Sequence, residues 1–167
     1  MAKVKSLGFT DTAINGVSSL NFARGLLNYK ENFRVKSNVP GKEVVLTNIT
    51  SPVDCPEKIR IGYSEVANVY AGTGVEPSVS APTKKGTQIL VQLTEVISVT
   101  DDTDADFRID LPVSYHMVIK VPTSEYITAS DIQTGIGRLI SGLYETGSLL
   151  TARIDAIRRG ALLPSDL

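Results

Sequence analysis

The chain of 167 residues has one cysteine, Cys55, and one histidine, His116. A single thiol excludes an intramolecular disulfide and a cysteine-rich metal centre, so Cys55 reads as a loop residue, with an intermolecular disulfide as the minor alternative. A single imidazole in mid-strand leaves a Ser-His-Asp triad or a histidine metal cluster without its parts, which argues against an enzyme. No window reaches the roughly 18 uninterrupted apolar residues of a membrane-spanning helix. The opening Met1-Ala-Lys-Val-Lys also lacks the apolar core of a secretory signal, so a cytosolic setting without a membrane partner is expected. Charge of either sign is not in excess: 17 Lys and Arg face 18 Asp and Glu, for a formal net charge of −1. That balance by itself says nothing for nucleic acid.

Cofactor signals are equally thin. Gly72-Thr73-Gly74-Val75-Glu76-Pro77 lacks the third glycine and the strand-to-helix setting of a dinucleotide loop. The aspartates at 101, 102, 104 and 106 lack the glycine and distal glutamate of an EF-hand loop, and Asn48-Ile49-Thr50 is a sequon without weight. Neither a cofactor nor a metal site is expected. With 42% hydrophobic and 21% charged residues, residues 1–167 are expected to form a single domain.

What the chain does have is side-chain parity. In 107–122, Ile109, Leu111, Val113, Tyr115, Met117, Ile119 and Val121 share one face, opposite Arg108, Asp110, Ser114, His116 and Lys120. In 86–100, Ile89, Val91, Leu93, Ile97 and Val99 oppose Gln88, Gln92, Thr94 and Ser98. A period of two marks two long, half-buried antiparallel strands, which Pro112 confines to a sheet edge, a bulge or a break in pairing. Shorter strands are expected at 26–36, 43–50 and 57–67, set apart by Asn38-Val39-Pro40-Gly41 and Ser51-Pro52-Val53-Asp54-Cys55-Pro56. An N-terminal hairpin is expected over 3–20, and a long loop over 68–85.

Two helices close the chain. Thr128-Ala-Ser-Asp-Ile-Gln holds two overlapping starts, with Ser130 and Gln133 at capping-box spacing. Ile132, Ile136, Leu139, Ile140 and Leu143 then form one apolar stripe over 130–145. A second helix is expected over 149–159, with Leu150, Ile154 and Ile157 inward and Gly160 as its stop. The parity also segregates charge: if Phe33, Val35, Ile59, Ile61 and Tyr63 point inward, then Lys30, Arg34, Lys36, Lys58, Arg60, Arg108 and Lys120 lie outside, with Asp110 the exception among acids. A neutral chain can thus carry a basic sheet face, although an ordinary solvated face with edge lysines fits the same pattern.

Element order and two motifs point further. Ser19-Leu20-Asn21-Phe22-Ala23-Arg24-Gly25 resembles the Ser-Asn-Phe-Ala-x-Gly stretch after the hairpin in coat proteins of single-stranded RNA bacteriophages of the levivirus type. Ser114-Tyr115-His116-Met117-Val118-Ile119-Lys120-Val121-Pro122 resembles their last strand. The resemblance implies an α+β fold: N-terminal β-hairpin, five-stranded antiparallel sheet (26–122) and two C-terminal α-helices, in an intertwined dimer whose helices cross the partner's sheet. It implies a structural capsid protein that assembles into an icosahedral shell around single-stranded genomic RNA, located in the virion and assembled in the bacterial host's cytoplasm.

The RNA-facing candidates are Lys36, Lys58, Arg60, Gln88, Gln92, Thr94, Ser114, His116 and Lys120. Candidates for the dimer interface are Ile132, Ile136, Leu139, Ile140 and Leu143, and the loop carrying Asp101, Asp102, Asp104 and Asp106 would meet other dimers. The family's base-stacking tyrosine falls on Ser114 and its asparagine on His116, so its operator code does not carry over. The alternative is a non-assembling RNA-binding β-sheet regulatory module, which particle imaging separates from a capsid protein.

Overall fold

In the computed structural model, residues 5–6, 8–10, 12–19, 27–76, 78, 83–104 and 106–164 are described. The chain divides into two compact units, one of Leu26–Ser124 and one of Met1–Gly25 with Glu125–Leu167.

The first unit is a five-stranded antiparallel sheet in the order β1-β2-β3-β4-β5. Its strands are β1 Phe33–Val39, β2 Glu43–Asn48, β3 Lys58–Val66, β4 Gly86–Thr100 and β5 Arg108–Pro122. The two long strands lie where parity places them. Their register runs unbroken from Gly86 opposite Pro122 to Thr100 opposite Arg108, passing Pro112 opposite Val96 without a shift. The proline is tolerated because β5 is an edge strand, where a missing N–H need not interrupt a ladder on both sides. β3 pairs with β4 only as far as Lys58 opposite Thr94, so residues 95–100 and 108–113 continue as a two-stranded arm.

The first strand begins later than parity suggested. Tyr29–Asn32 form a single helical turn, α1, capped by Asn28, whose side-chain oxygen accepts from the Glu31 N–H at 3.3 Å. Lys30 therefore lies on a helical turn and not on the sheet. A four-residue turn is too short to impose a visible period. Between β1 and β2, Pro40 sets one turn dihedral and Gly41 supplies the positive φ of +72°, with Lys42 N–H donating to Val39 O at 3.0 Å.

In the second unit, part of the N-terminal hairpin lies outside the described residues, as does most of the Ser19–Gly25 motif. Within them the pairing is one antiparallel bridge, Ile14 to Val17, around Asn15 and Gly16. Helix α2 spans Ala129–Ser141, shorter than the expected 130–145. Its capping box uses the earlier start: Thr128 Oγ1 accepts from Asp131 N–H at 3.4 Å, and Asp131 Oδ2 accepts from Thr128 N–H at 2.8 Å. Ser130 and Gln133 are thus not the cap. The Asp131 carboxylate also meets Lys5 Nζ at 2.5 Å, and the Arg138 guanidinium lies over the Phe9 ring at 3.5 Å.

The second helix, α3, is only Ile154–Arg158. Residues just before it are held otherwise, by a bridge from Tyr144 to Ala152 and by Arg153, which is buried and donates to Leu162 O at 2.9 Å. Leu150 and Ile154 are exposed and Ile157 is half-buried, which corrects the expected inward face. Among the described residues no helix is long and apolar enough to cross a membrane.

Thr128→Ala is expected to cost about 1 kcal/mol in equilibrium denaturation by removing the side-chain cap of α2. The Lys5 hydrogen bond, with those from Thr128, holds the Asp131 carboxyl far below the usual carboxylate range. A depressed folded-state value means that this contribution is fully present above the unfolded carboxyl range and is lost as pH falls from that range through the lowered folded-state value. The wild-type and Asp131→Asn stability curves should converge at low pH.

Candidate nucleic-acid interface

The register of the sheet converts a list of polar residues into rows, because residues directly opposite in an antiparallel pair project from the same face. One row crosses all five strands as Arg34, Thr47, Lys58, Thr94 and Ser114. The next runs Ser37, Val45, Arg60, Gln92 and His116, and a shorter one runs Ser64, Gln88 and Lys120. Neighbouring strands are about 4.8 Å apart and same-face residues along a strand about 6.8 Å apart. Eight of the nine RNA-facing candidates therefore share one face. The ninth, Lys36, is the extra residue of a β-bulge between Val35 and Ser37 and has no strand partner.

Two features of this face escape parity. Between the polar rows lies an apolar one, Val39, Glu43, Gly62, Leu90 and Val118, broken only by Glu43. Glu43 is the second acid: its Oε2 accepts from Arg60 Nε at 2.9 Å and Nη2 at 2.7 Å. Glu43 stands beside Arg60 through the pairing of β2 with β3, where it lies opposite Gly62, a register that alternation within either strand does not reveal.

The basic residues are thus not equivalent. Arg34 Nη1 donates to the carbonyls of Phe33 (2.8 Å) and Glu31 (3.1 Å), securing the end of α1. Arg108 is held by Asp110 at 3.0 Å, with Asp54 at 3.8 Å. The Asp110 hydrogen bond raises the arginine's pKa, while hydrogen bonds from Ser98 and Arg108 lower that of Asp110. Among the described residues, Lys58 and Lys120 form no ion pair.

Cys55 lies beside this arm, with Arg108 Nη2 4.0 Å from its sulfur. Partial desolvation, then the Asp54 charge, push the thiol up, away from the reactive thiolate. In the acidic loop, Asp101 accepts from the N–H (2.7 Å) and hydroxyl (2.5 Å) of Thr103, which lowers its pKa and keeps it ionised. No group of three or more metal-ligating side chains occurs among the described residues.

The opposite face is apolar and largely bare. Only Phe33 and Ile59 are buried apolar residues among those described, while Ile61, Tyr63, Ile97, Val99, Ile109, Leu111 and Tyr115 remain exposed. Helix α2 has no buried residue. On its stripe Ile132, Ile136 and Ile140 are half-buried, Leu139 is 66% exposed, and Leu143, just beyond the helix, is also exposed.

The five-stranded antiparallel sheet followed by C-terminal helices matches the fold of phage virus-like particle subunits, as the resemblance to RNA-phage coat proteins implied. The chain is similar over 99% of its length to the whole chain of the virus-like particle of bacteriophage AVE015, with TM-score 0.83 and 28% identity. It also matches the virus-like particle of bacteriophage GQ-112, with TM-score 0.80 and 13% identity over 96% of this chain and 97% of that one. The virus-like particle of bacteriophage PQ-465 matches with TM-score 0.52 and 16% identity, over 83% and 93% of the two chains. No protein-family profile matches the chain. No curated protein matches it either.

Proposed function

We propose that residues 1–167 are one coat-protein subunit, structural and not catalytic, that dimerises, assembles into an icosahedral shell and encloses single-stranded RNA against its polar sheet face. The observation that carries the capsid role is the end-to-end likeness, at 28% identity, to the subunit of a phage virus-like particle. The compartment that follows is the virion, with assembly in the host cytoplasm.

Dimerisation answers a physical problem in the single chain. β5 is a 15-residue edge with unpaired backbone groups, and an exposed edge of that length invites another strand. Among the described residues, much apolar side-chain surface is exposed both on the sheet face, from Ile61 to Tyr115, and on the helix stripe, at Leu139. A second copy, joined at β5 with its helices laid across the sheet, covers all three. RNA then meets the other face, where lysines and arginines contact phosphate and polar rows contact sugar and base.

Negative-stain imaging of the purified protein, with nucleic acid assayed in the particle fraction, tests this reading. Closed shells containing RNA are expected, and soluble dimers alone would favour a non-assembling RNA-binding module. The acidic loop is assigned to contacts between dimers. Four aspartates gathered near a symmetry axis repel within a screening length of about 10 Å at 0.1 M salt. Deleting residues 102–105 is therefore expected to leave the dimer intact and to change particle yield, size or salt response. A shell identical in all three would remove the loop from assembly.

A further inference from the structure

The apolar row of the RNA-facing surface is also where that surface is hollow. A space of about 590 Å³ is lined there by Lys42, Glu43, Arg60, Ser64, Gln88 and Leu90, among others. Gly62, on the middle strand, lines it as well. A Cβ at Gly62 would meet Leu90 Cβ at 3.6 Å, an ordinary contact, so packing does not demand the glycine. Its bareness leaves room over Leu90 for a flat group.

Glu43 makes this hollow unlike a phosphate site. Arg60 directs both of its hydrogen bonds to one carboxylate oxygen, Oε2, which fixes the carboxylate and leaves Oε1 without a hydrogen bond among the described residues. A fixed, negatively charged acceptor repels phosphate and attracts neighbouring N–H donors. Among the four RNA bases, guanine alone presents two adjacent donors, N1–H and the 2-amino group, on its Watson–Crick edge. Adenine and cytosine place a ring acceptor beside their amino group, and uracil flanks its single N–H with two carbonyls.

We propose, resting on the reading of this face as RNA-binding, that the hollow receives one unpaired guanine of the enclosed RNA. Glu43 accepts from its donor edge, Arg60 holds Glu43, and Leu90 with Val118 provides the apolar surface against which the base lies. Bases splayed from single strands are recognised in this manner, by edge hydrogen bonds and by contact with their faces. Basic neighbours, Lys58 and Lys120, take the backbone on either side.

The test uses the purified full-length protein and labelled ten-residue oligouridines carrying guanine, inosine, adenine or cytosine at the centre, with all-uridine as reference. Guanine is expected to bind at least five-fold more tightly than adenine, in line with the discrimination of a paired donor–acceptor contact. Inosine, which lacks the 2-amino group, should fall between them. Glu43→Gln should erase the preference while all-uridine binding stays the same or strengthens, since a negative charge is lost. Gly62→Val, which fills the space without touching a charge, should erase it as well. Equal, salt-sensitive binding of all oligonucleotides overturns the guanine site and leaves the RNA face standing. Failure of every oligonucleotide to bind overturns both, and a guanine preference that survives Glu43→Gln overturns the role of the carboxylate.

Discussion

Leu139→Asp is expected to yield a chain that no longer dimerises at micromolar concentration. Leu139 belongs to the apolar stripe of α2, yet it is 66% exposed in the single chain. In the proposed dimer that surface is covered by the partner's sheet, and a carboxylate placed there would be buried without a cation or donor. Removing an unpaired charge from water costs several kcal/mol, enough to dissociate most dimers of this size. Leu139→Met, which keeps the volume and loses no apolar character, should remain dimeric. Sedimentation velocity separates the outcomes. A folded Leu139→Asp dimer would show that α2 does not clamp a second subunit.

The long strands were legible because a largely alternating pattern runs through fifteen residues in each, and the start of α2 because capping residues recur at a fixed spacing within 128–133. Short elements were not legible. The helical turn at Tyr29–Asn32 spans barely one helical period, too little to show a repeat, and α3 was overestimated because Leu150 and Ile154 fit a helical spacing that Arg153 overrides by turning inward to hold Leu162. Parity placed eight of nine candidate residues on one face, since parity and face are the same thing in an unbroken strand. At Lys36 the identity does not hold, because the bulge leaves that residue without a strand partner. Parity also missed Glu43, because which acid faces which arginine depends on register between strands, which alternation within either strand does not reveal.

That difference between basic residues leads to the second large effect. Lys58→Ala with Lys120→Ala is expected to impair RNA enclosure more than Arg60→Ala with Arg108→Ala. Each of the two arginines is already neutralised by a carboxylate, Glu43 or Asp110, within 3.0 Å. The two lysines form no ion pair among the described residues, so their charge is fully available to phosphate. Removing one lysine from a phosphate should lower the slope of log affinity against log salt by about one at most, whatever the RNA sequence. The control is Arg158→Ala with Arg159→Ala, which removes two cations that both pair with Asp155 and lie outside the sheet. That variant should enclose RNA like the parent. If instead the lysine variant packages normally with an unchanged salt slope, while the Arg158 and Arg159 variant emerges empty, the RNA lies against the helical unit and not against the sheet.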